Sequence, residues 1–579
     1  MIAPAAVAYG FLITSPAAAK LLLQHFGYFT MLGTFVWWLY AVVRIVKTDP
    51  AFDRVITWGA VKRHCAAWVL ITGLVAVAWF TVPYSWKVLY DELVLQSTAL
   101  NLHFFRELGT MVRGHEIDGV FRSLDVYLDK RPFFYPFLVS LVHDLTGYRT
   151  LNAYVLNTAL MPVVLGLVYV IGRWLGGQRA ALVAVACFGA SPLLAQNANG
   201  VGMEMLNLVM ILVTLGLAVY YLRKPDAVRL SALVLSCVLL AQTRYESALY
   251  VGCVALAILE GWRRVRQIIL PPAGLCAPLL LIPCALHNTY LSGMPMLWEL
   301  RDDVSTRFGV NYLGDNLRHA VDYFFGLSIE LLNAWWLSII GVLAIGWVGC
   351  SLWSNRTRWR AMPPHILVVL IMGLGAFANL GLLMFYYWGQ LDDTIVSRLS
   401  LPVYAVLAFA VAWVVGQVRD AWQPRVCGWL LTGALLCYLG LGLRSTAYNN
   451  PRNQLATEMT WEEQWVAQRP QVSRLIITNK TALNWIGRLT SAIPLSTVRT
   501  KADKVWFHMK AGTFREVLVS QYYRPVGAEG GFVLDPKDTL PDSFVLEPLT
   551  ERQVGGKLLR ISRVSEIRLP AAPKELPSK

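Results

Sequence analysis

Four short polar stretches hold the residues whose types and spacing could do chemistry. Asp91 and Glu92 sit side by side in YSWKVLYDELVLQ, directly after an apolar run. A carboxylate where a helix leaves a bilayer is hard to place unless it has work to do. There it could take a proton from an attacking hydroxyl, and partial burial would tune its pKa. The plainer reading is a helix cap followed by an acidic first turn. Glu204 follows small residues in NGVGMEMLNL and could be a second carboxylate, orienting an acceptor or sharing a metal, or simply begin a helix. Arg244 and Glu246 lie in the turn QTRYES, enclosed by apolar residues on both sides. An arginine so enclosed needs an anion, and its fork suits a phosphate. A bond to Glu246 itself is disfavoured on a helix, where residues two apart do not face each other. Arg398, in DDTIVSRLSLP, is either a second phosphate clamp or a salt-bridge partner of Asp393. Tyr245, Glu246, Asp392 and Asp393 are candidate lining residues beside these arginines.

The rest of the chain must position these groups, and its composition says how. Of 579 residues, 56% are hydrophobic and 15% charged, with mean hydropathy +0.49. Repeated apolar runs near the spanning length of about 20 residues define a polytopic membrane protein. The net charge of +15 sits largely in short loops, as cytoplasmic loops require. No basic groove interleaved with stacking aromatics occurs, which argues against nucleic acid. Phe26 to Val46 and Ala66 to Pro83 are spans. A regular alternation runs from Leu151 to Leu443, with a turn at Gly176-Gly177 between Leu151–Leu175 and Ala180–Leu194. The topology has 12 spans, or 13 if Met1 to Leu23 crosses. It puts the loops 84–136 and 293–328 and the tail from residue 444 outside. The expected fold is therefore an α-helical membrane domain over 1–443 and a small extracytoplasmic α/β domain over 444–579.

Within the first long loop, apolar residues from Leu93 to Leu108 suggest an amphipathic helix lying on the membrane to about Gly114. The segment Arg131 to Gly147 reads as a short buried or interfacial helix. In the tail, Arg474–Thr478, Glu516–Ser520, Gly531–Leu534 and Lys557–Val564 alternate as strands do, and the final AAPKELPSK is expected to fray. The nine cysteines all lie in or beside apolar runs without a CxxC pair, which argues against disulfides and a cysteine zinc site. His103, His143 and His319 lack ligand spacing and read as structural. The 22 Trp and 24 Tyr are mostly an interfacial belt, although Tyr84, Trp86, Tyr386, Tyr387 and Trp388 flank the candidate site.

The order of YDELVLQ, RPFFYPFLVSLVHDLTG, QTRYESALY and SRLSLPVYAVLAFAVAW resembles the GT-C superfamily of polytopic glycosyltransferases. The likeness extends to the branch holding protein O-mannosyltransferases and the lipid A aminoarabinose transferase. The resemblance implies an inverting transferase of the cytoplasmic (inner) membrane. It would move a sugar from a polyprenyl-phosphate donor to a lipid, glycan or protein acceptor on the outer, periplasmic face. It implies Asp91 as catalytic base with Glu92 its neighbour, Glu204 as the acceptor-side carboxylate, and Arg244 and Arg398 on the donor phosphate. No cofactor is required; a divalent metal is optional, and the second long loop shows no clear DxD to call for one. A transporter or flippase, or a polymerase or ligase for lipid-linked saccharides, is the alternative. A transporter would carry charges at mid-membrane and inverted repeats, whereas here the charges fall at helix ends.

Overall fold

The computed structural model describes residues 14–49, 62–117, 119–294, 304, 306–354, 362–452, 454–488, 490–526, 531–554 and 556–568. Residues 1–13 of the first apolar segment, Glu299, Asp302 and Asp303 of the second long loop, and the terminal AAPKELPSK lie outside these. The chain forms two compact units. The first comprises Met1–Leu95, Leu102–Leu108 and Leu128–Arg452; the second comprises Gln96–Asn101, Gly109–Tyr127 and Asn453–Lys579.

The first unit is helical and belongs to a multi-pass membrane protein. Eight helices among the described residues are long and apolar enough to cross a membrane, and Cys65–Thr81 and Ala227–Leu240 are shorter apolar helices. Each of the twelve expected spans overlaps helix, but not one for one. Leu151–Leu175 and most of Ala180–Leu194 share the helix Leu151–Gly189, and the span 268–291 divides between Pro272–Leu280 and Ile282–Ser292. The span 248–260 lies on Leu249–Val265, which is not among those eight. Pro16–Thr48 is one continuous helix of 33 residues, so the described end of the first apolar segment runs straight into the second. Leu151–Leu175 and Ala180–Leu194 meet at Gly177, whose backbone (φ 81°, ψ −173°) only glycine adopts freely. The chain reverses there: a Cβ on Gly172 would lie 3.0 Å from the Ala181 Cα, a contact no straight helix permits.

The loop 84–136 departs from expectation. Leu89–Phe105 is a helix, but not one lying on a surface with a wet face. Leu93, Leu95, Ala99, Leu100 and Leu102 are buried, and so are Gln96, Ser97, Thr98 and Asn101. The buried hydroxyls receive the segment that follows: Ser97 Oγ accepts from the Met111 amide at 3.1 Å and Thr98 pairs with Thr110 at 2.9 Å. Thr110–Ile117 (β1) and Val120–Tyr127 (β2) then form an antiparallel hairpin. Phe134–Thr146 is a 13-residue helix with a buried face from Phe134 to His143. Its length of about 20 Å falls short of a hydrocarbon core of about 30 Å.

The second unit is an eight-stranded sheet. Its strands from the tail are Arg474–Ile477 (β3), Ser491–Ile493 (β4), Glu516–Val526 (β5), Gly531–Leu534 (β6), Phe544–Val554 (β7) and Lys557–Ile567 (β8). The order is β2-β1-β4-β3-β5-β8-β7, with β6 on β5. Parallel pairing of β3 with β4 and β5 needs crossovers, and Thr481–Arg488 supplies one. Leu475, Ile477, Val517 and Val519 of its central strands pack with Leu495, Val498 and Val564 in one apolar core. The boundary expected at residue 444 falls at 453. Helix Leu443–Arg452 stays with the membrane helices, with Ser445 Oγ donating to Leu331 O at 2.6 Å and Asn449 to Glu330 O at 3.1 Å. The hairpin of 110–127 joins the tail's sheet because Gly114 pairs with Ala492. The sequence around Gly114, His115 and Asp125 lacks the unbroken alternation that marks a strand.

Candidate active site

Asp91 lies in the first turn of helix Leu89–Phe105. Its Oδ1 accepts from Arg131 Nε at 2.9 Å and also from Arg131 Nη2, and its Oδ2 accepts from Arg398 Nη2. Arg131 turns its Nη1 to Asp129 Oδ1 at 2.5 Å. Arg398 Nη1 lies 2.9 Å from Glu204 Oε1, and the same oxygen accepts from Arg244 Nη1. Arg244 Nε in turn reaches Glu246 Oε2 at 3.2 Å. The result is a buried row of alternating charge: Asp129, Arg131, Asp91, Arg398, Glu204, Arg244, Glu246. All seven side chains are 15% exposed or less.

Local structure explains each placement. Glu204 opens helix Glu204–Arg223, where a carboxylate suits the positive end of the helix dipole. The glycines ahead of it give it room. A Cβ on Gly202 would sit 2.1 Å from Glu204 Oε2, and one on Gly200 would sit 3.0 Å from Glu92 Oε1. Asn157 holds the same turn by donating to Gly200 O and Gly202 O at 3.0 and 2.8 Å. Arg244 has an extended backbone (φ −148°, ψ 151°) ahead of a 3-10 turn over Tyr245–Ala248. The i,i+2 rule for α-helices does not govern that geometry, and so Arg244 does bond Glu246. Asn207 Oδ1 braces the turn by accepting from Thr243 Oγ1 and Ser247 Oγ at 2.7 and 2.6 Å. Arg398 lies in a 3-10 turn before helix Leu401–Gly416, and its Nε is anchored on Ile395 O at 2.9 Å.

Four of the residues singled out in the sequence therefore converge: Asp91, Glu204, Arg244 and Arg398. Glu246 joins them, and Tyr245 stands beside them, half-exposed. Asp392 and Asp393 do not join. Asp392 pairs with His319 at 2.7 Å, while Asp393 caps the Ile395 amide at 2.7 Å and accepts from Trp388 Nε1 at 3.0 Å. The Asp393–Arg398 salt bridge weighed from sequence gives way to Asp91 and Glu204. Tyr84 stacks on Tyr154 at 5.3 Å and serves packing. Arg131 and Asp129, which complete the row, do not stand out in the sequence. Their only signal was a basic residue held in LDKRPFFYP, between the acidic pair and a buried helix.

Glu92 faces away from the arginines. Its Oε2 accepts from the Lys87 and Val88 amides at 2.5 and 2.8 Å, and its Oε1 from the Val201 amide at 3.0 Å. It satisfies amides that the helix start leaves unpaired and ties that start to the NGVG turn. Burial pushes its carboxyl up to about 7, against the opposing pull of those three amides. The folded value thus lies above the unfolded one of 4.5. The associated stability is complete below about pH 4.5 and is lost as pH rises through about 7. Glu92→Gln removes this dependence, and its NH2 must face one of the amide donors. We expect the variant to unfold at lower temperature at pH 5, with the gap to wild type narrowing toward pH 8, as read by thermal unfolding. Equal slopes in the two proteins would refute the assignment.

The two neighbours of Asp91 set its chemistry. Burial works against its charge, but the Arg398 and Arg131 guanidiniums outweigh it and hold the carboxyl well below the usual range. Arg244, Arg398 and Glu204 line a small cavity of mixed polarity with Asn207 and Asn379, whose wall includes Leu208 and Pro402. Leu208 and Pro402 also line an apolar crevice with Ile211, Leu212, Leu215, Met372 and Phe409. Among the described residues, no group of three or more His, Cys, Asp or Glu could hold a metal ion.

No protein-family model matches the sequence, and no curated protein matches it. Solved structures do. ArnT from Cupriavidus metallidurans, crystallised with undecaprenyl phosphate, superposes with a TM-score of 0.51 at 13% identity, over 86% of this chain and 98% of ArnT. The oligosaccharyltransferase of Archaeoglobus fulgidus gives 0.44 at 11% identity, over 83% and 74%. The arabinosyltransferase EmbB of Mycobacterium smegmatis gives 0.36 at 10% identity, over 93% and 66%. By its likeness to ArnT along nearly the whole of that protein, the chain shares the fold of ArnT.

Proposed function

We propose that this protein is a glycosyltransferase of the cytoplasmic membrane. It moves a sugar from a polyprenyl-phosphate donor to a lipid, glycan or protein acceptor at the outer face, with inversion. One observation carries the reading: Arg244 and Arg398 converge on Glu204 beside Asp91, at a small cavity whose wall continues through Leu208 and Pro402 into an apolar crevice. A phosphate head on the arginines and an isoprenoid tail along the crevice fit the chemistry of the two surfaces, and both spaces must widen to admit them. The undecaprenyl phosphate bound by ArnT supports the choice of lipid.

In the reaction, the acceptor oxygen attacks the anomeric carbon from the side opposite the phosphate. The carbon–oxygen bond to phosphate breaks and its electron pair stays on the phosphate. The acceptor proton passes to Asp91. Arg244 and Arg398 meet the charge that develops on the leaving phosphate, a role worth most in a site shielded from water. Those two cations supply the neutralisation for which other enzymes use a divalent metal, so no metal enters the proposed step. Glu204, set between Arg244 and Arg398, holds the two forks together on the phosphate side, and Glu246 steadies Arg244.

The test is the purified chain in liposomes with a polyprenyl-phosphate donor carrying a labelled sugar. The expected result is release of polyprenyl phosphate and label on an acceptor. Movement of the intact donor across the bilayer without cleavage would overturn the reading in favour of a flippase. The crevice has its own check. Gly373 lines it, and a Cβ there would only touch Val406, at 3.4 Å. Gly373→Leu is expected to raise KM about tenfold for a long-chain donor and to leave KM for a donor with a truncated tail within about twofold. The loss of a few buried methylenes' worth of contact has that size.

A further inference from the structure

Arg398 is shared between two acids and still has a donor to give. Its Nη2 bonds Asp91 Oδ2. Its Nη1 is near Glu204 Oε1, at 2.9 Å, but is buried without an aligned hydrogen-bond acceptor. Its Nε is fixed on Ile395 O, so the fork can trade partners at its two terminal nitrogens without leaving its place. The buried row holds four carboxylates (Asp129, Asp91, Glu204, Glu246) and three guanidiniums (Arg131, Arg398, Arg244), a net charge of −1. A phosphate brought to Arg244 and Arg398 finds Nη1 of Arg398 open to it but adds a further negative charge beside carboxylates that already pair with every guanidinium. Like charges so close in a water-poor site repel strongly, so phosphate and carboxylate must compete for the same forks.

The transfer step also moves charge. When Asp91 takes the acceptor proton it loses one negative charge. When the bond from sugar to phosphate breaks, the phosphate gains one. A cation able to pair with either keeps the charge around it balanced throughout. As long as Asp91 is held by Arg398 and Arg131 together, its carboxylate is a weak proton acceptor.

Building on the transferase reading, we propose that Arg398 exchanges partners, moving from Asp91 to the donor phosphate, so that Asp91 becomes a competent base only when the donor is in place. Arg398 is thereby a positioning residue for the base as well as a phosphate ligand. The exchange imposes an order, with donor before deprotonation, and protects the carboxylate from idle protonation.

The experiment measures binding of undecaprenyl phosphate to the full chain in nanodiscs. Asp91→Asn removes the competing charge and is expected to bind about tenfold tighter than wild type, a change of about 1.4 kcal/mol. Asp91→Glu keeps the competition and is expected to bind like wild type. Arg398→Ala is expected to bind at least tenfold more weakly. Tightening is the telling direction, because structural damage only loosens a site. Unchanged or weaker binding by Asp91→Asn, together with weakening by Arg398→Ala, would overturn the exchange while leaving the phosphate site intact. Binding that neither Arg398→Ala nor Arg244→Ala alters would overturn the phosphate assignment itself. Should Asp91→Asn lose its cooperative unfolding, Glu204→Gln takes its place, since Glu204 faces the same fork; tightening supports the exchange and its absence refutes it.

Discussion

Asp91→Asn is expected to lower sugar transfer about a thousandfold while the protein accumulates in membranes at its normal level. A positioned base contributes about 10²- to 10⁴-fold, and the amide cannot take up the acceptor proton. The substitution conserves shape but not hydrogen bonding. Asp91 receives guanidinium donors on both oxygens, and in asparagine one of the two atoms becomes a donor itself. Some loss of stability follows, and measuring unfolding temperature alongside rate separates the two effects. Because the two guanidiniums hold the carboxyl below the usual range against burial, its contribution to stability is present above the unfolded value of 3.8. That contribution is lost only as pH falls through the lower folded value. In the free protein the group is thus ionised throughout pH 5 to 8, and kcat/KM should show no acidic limb from Asp91 there. Wild-type transfer by Asp91→Asn would remove the base assignment.

How much of this site could be read from sequence depended on where each residue stood. Asp91, Glu204, Arg244 and Arg398 each interrupt or abut an apolar run, and a charge in such surroundings must find a partner. That made them visible one at a time. Which partner each takes was not visible, because the pairings join segments as far apart as Asp91 and Arg398. The rule that discounted Arg244 with Glu246 was correct for an α-helix and failed only because the turn is 3-10. Glu92 shows the opposite lesson: adjacency to Asp91 suggested shared chemistry, yet neighbours in a helix point about 100° apart. Glu92 spends its oxygens on backbone amides. The membrane helices were legible because length and apolarity define them. The β1–β2 hairpin was not, because its strands complete a sheet whose other members lie more than 340 residues later, and local pattern carries no trace of that pairing.

Arg244→Met should lose stability and activity together, and a second substitution should separate them. Arg244 is 5% exposed and is held by Glu204 and Glu246, themselves 4% and 11% exposed. Removing the cation strips Glu246 of the guanidinium that holds it and leaves Glu204 with Arg398, which Asp91 also uses, and stranding a buried charge in this way costs about 3–5 kcal/mol. Adding Glu246→Gln restores the charge sum of the row to its original value. We expect the double variant to regain most of the lost stability, with a coupling of at least about 1 kcal/mol between the two sites. Transfer should stay depressed by about 10²- to 10³-fold in both, the usual effect of deleting one donor to a developing charge. The comparison tells two roles apart that a single substitution confounds. A double variant that recovers stability and transfer alike would make Arg244 a counter-ion for Glu204 and leave the donor phosphate to Arg398. One that recovers stability alone shows a cation kept buried because the leaving phosphate needs it there.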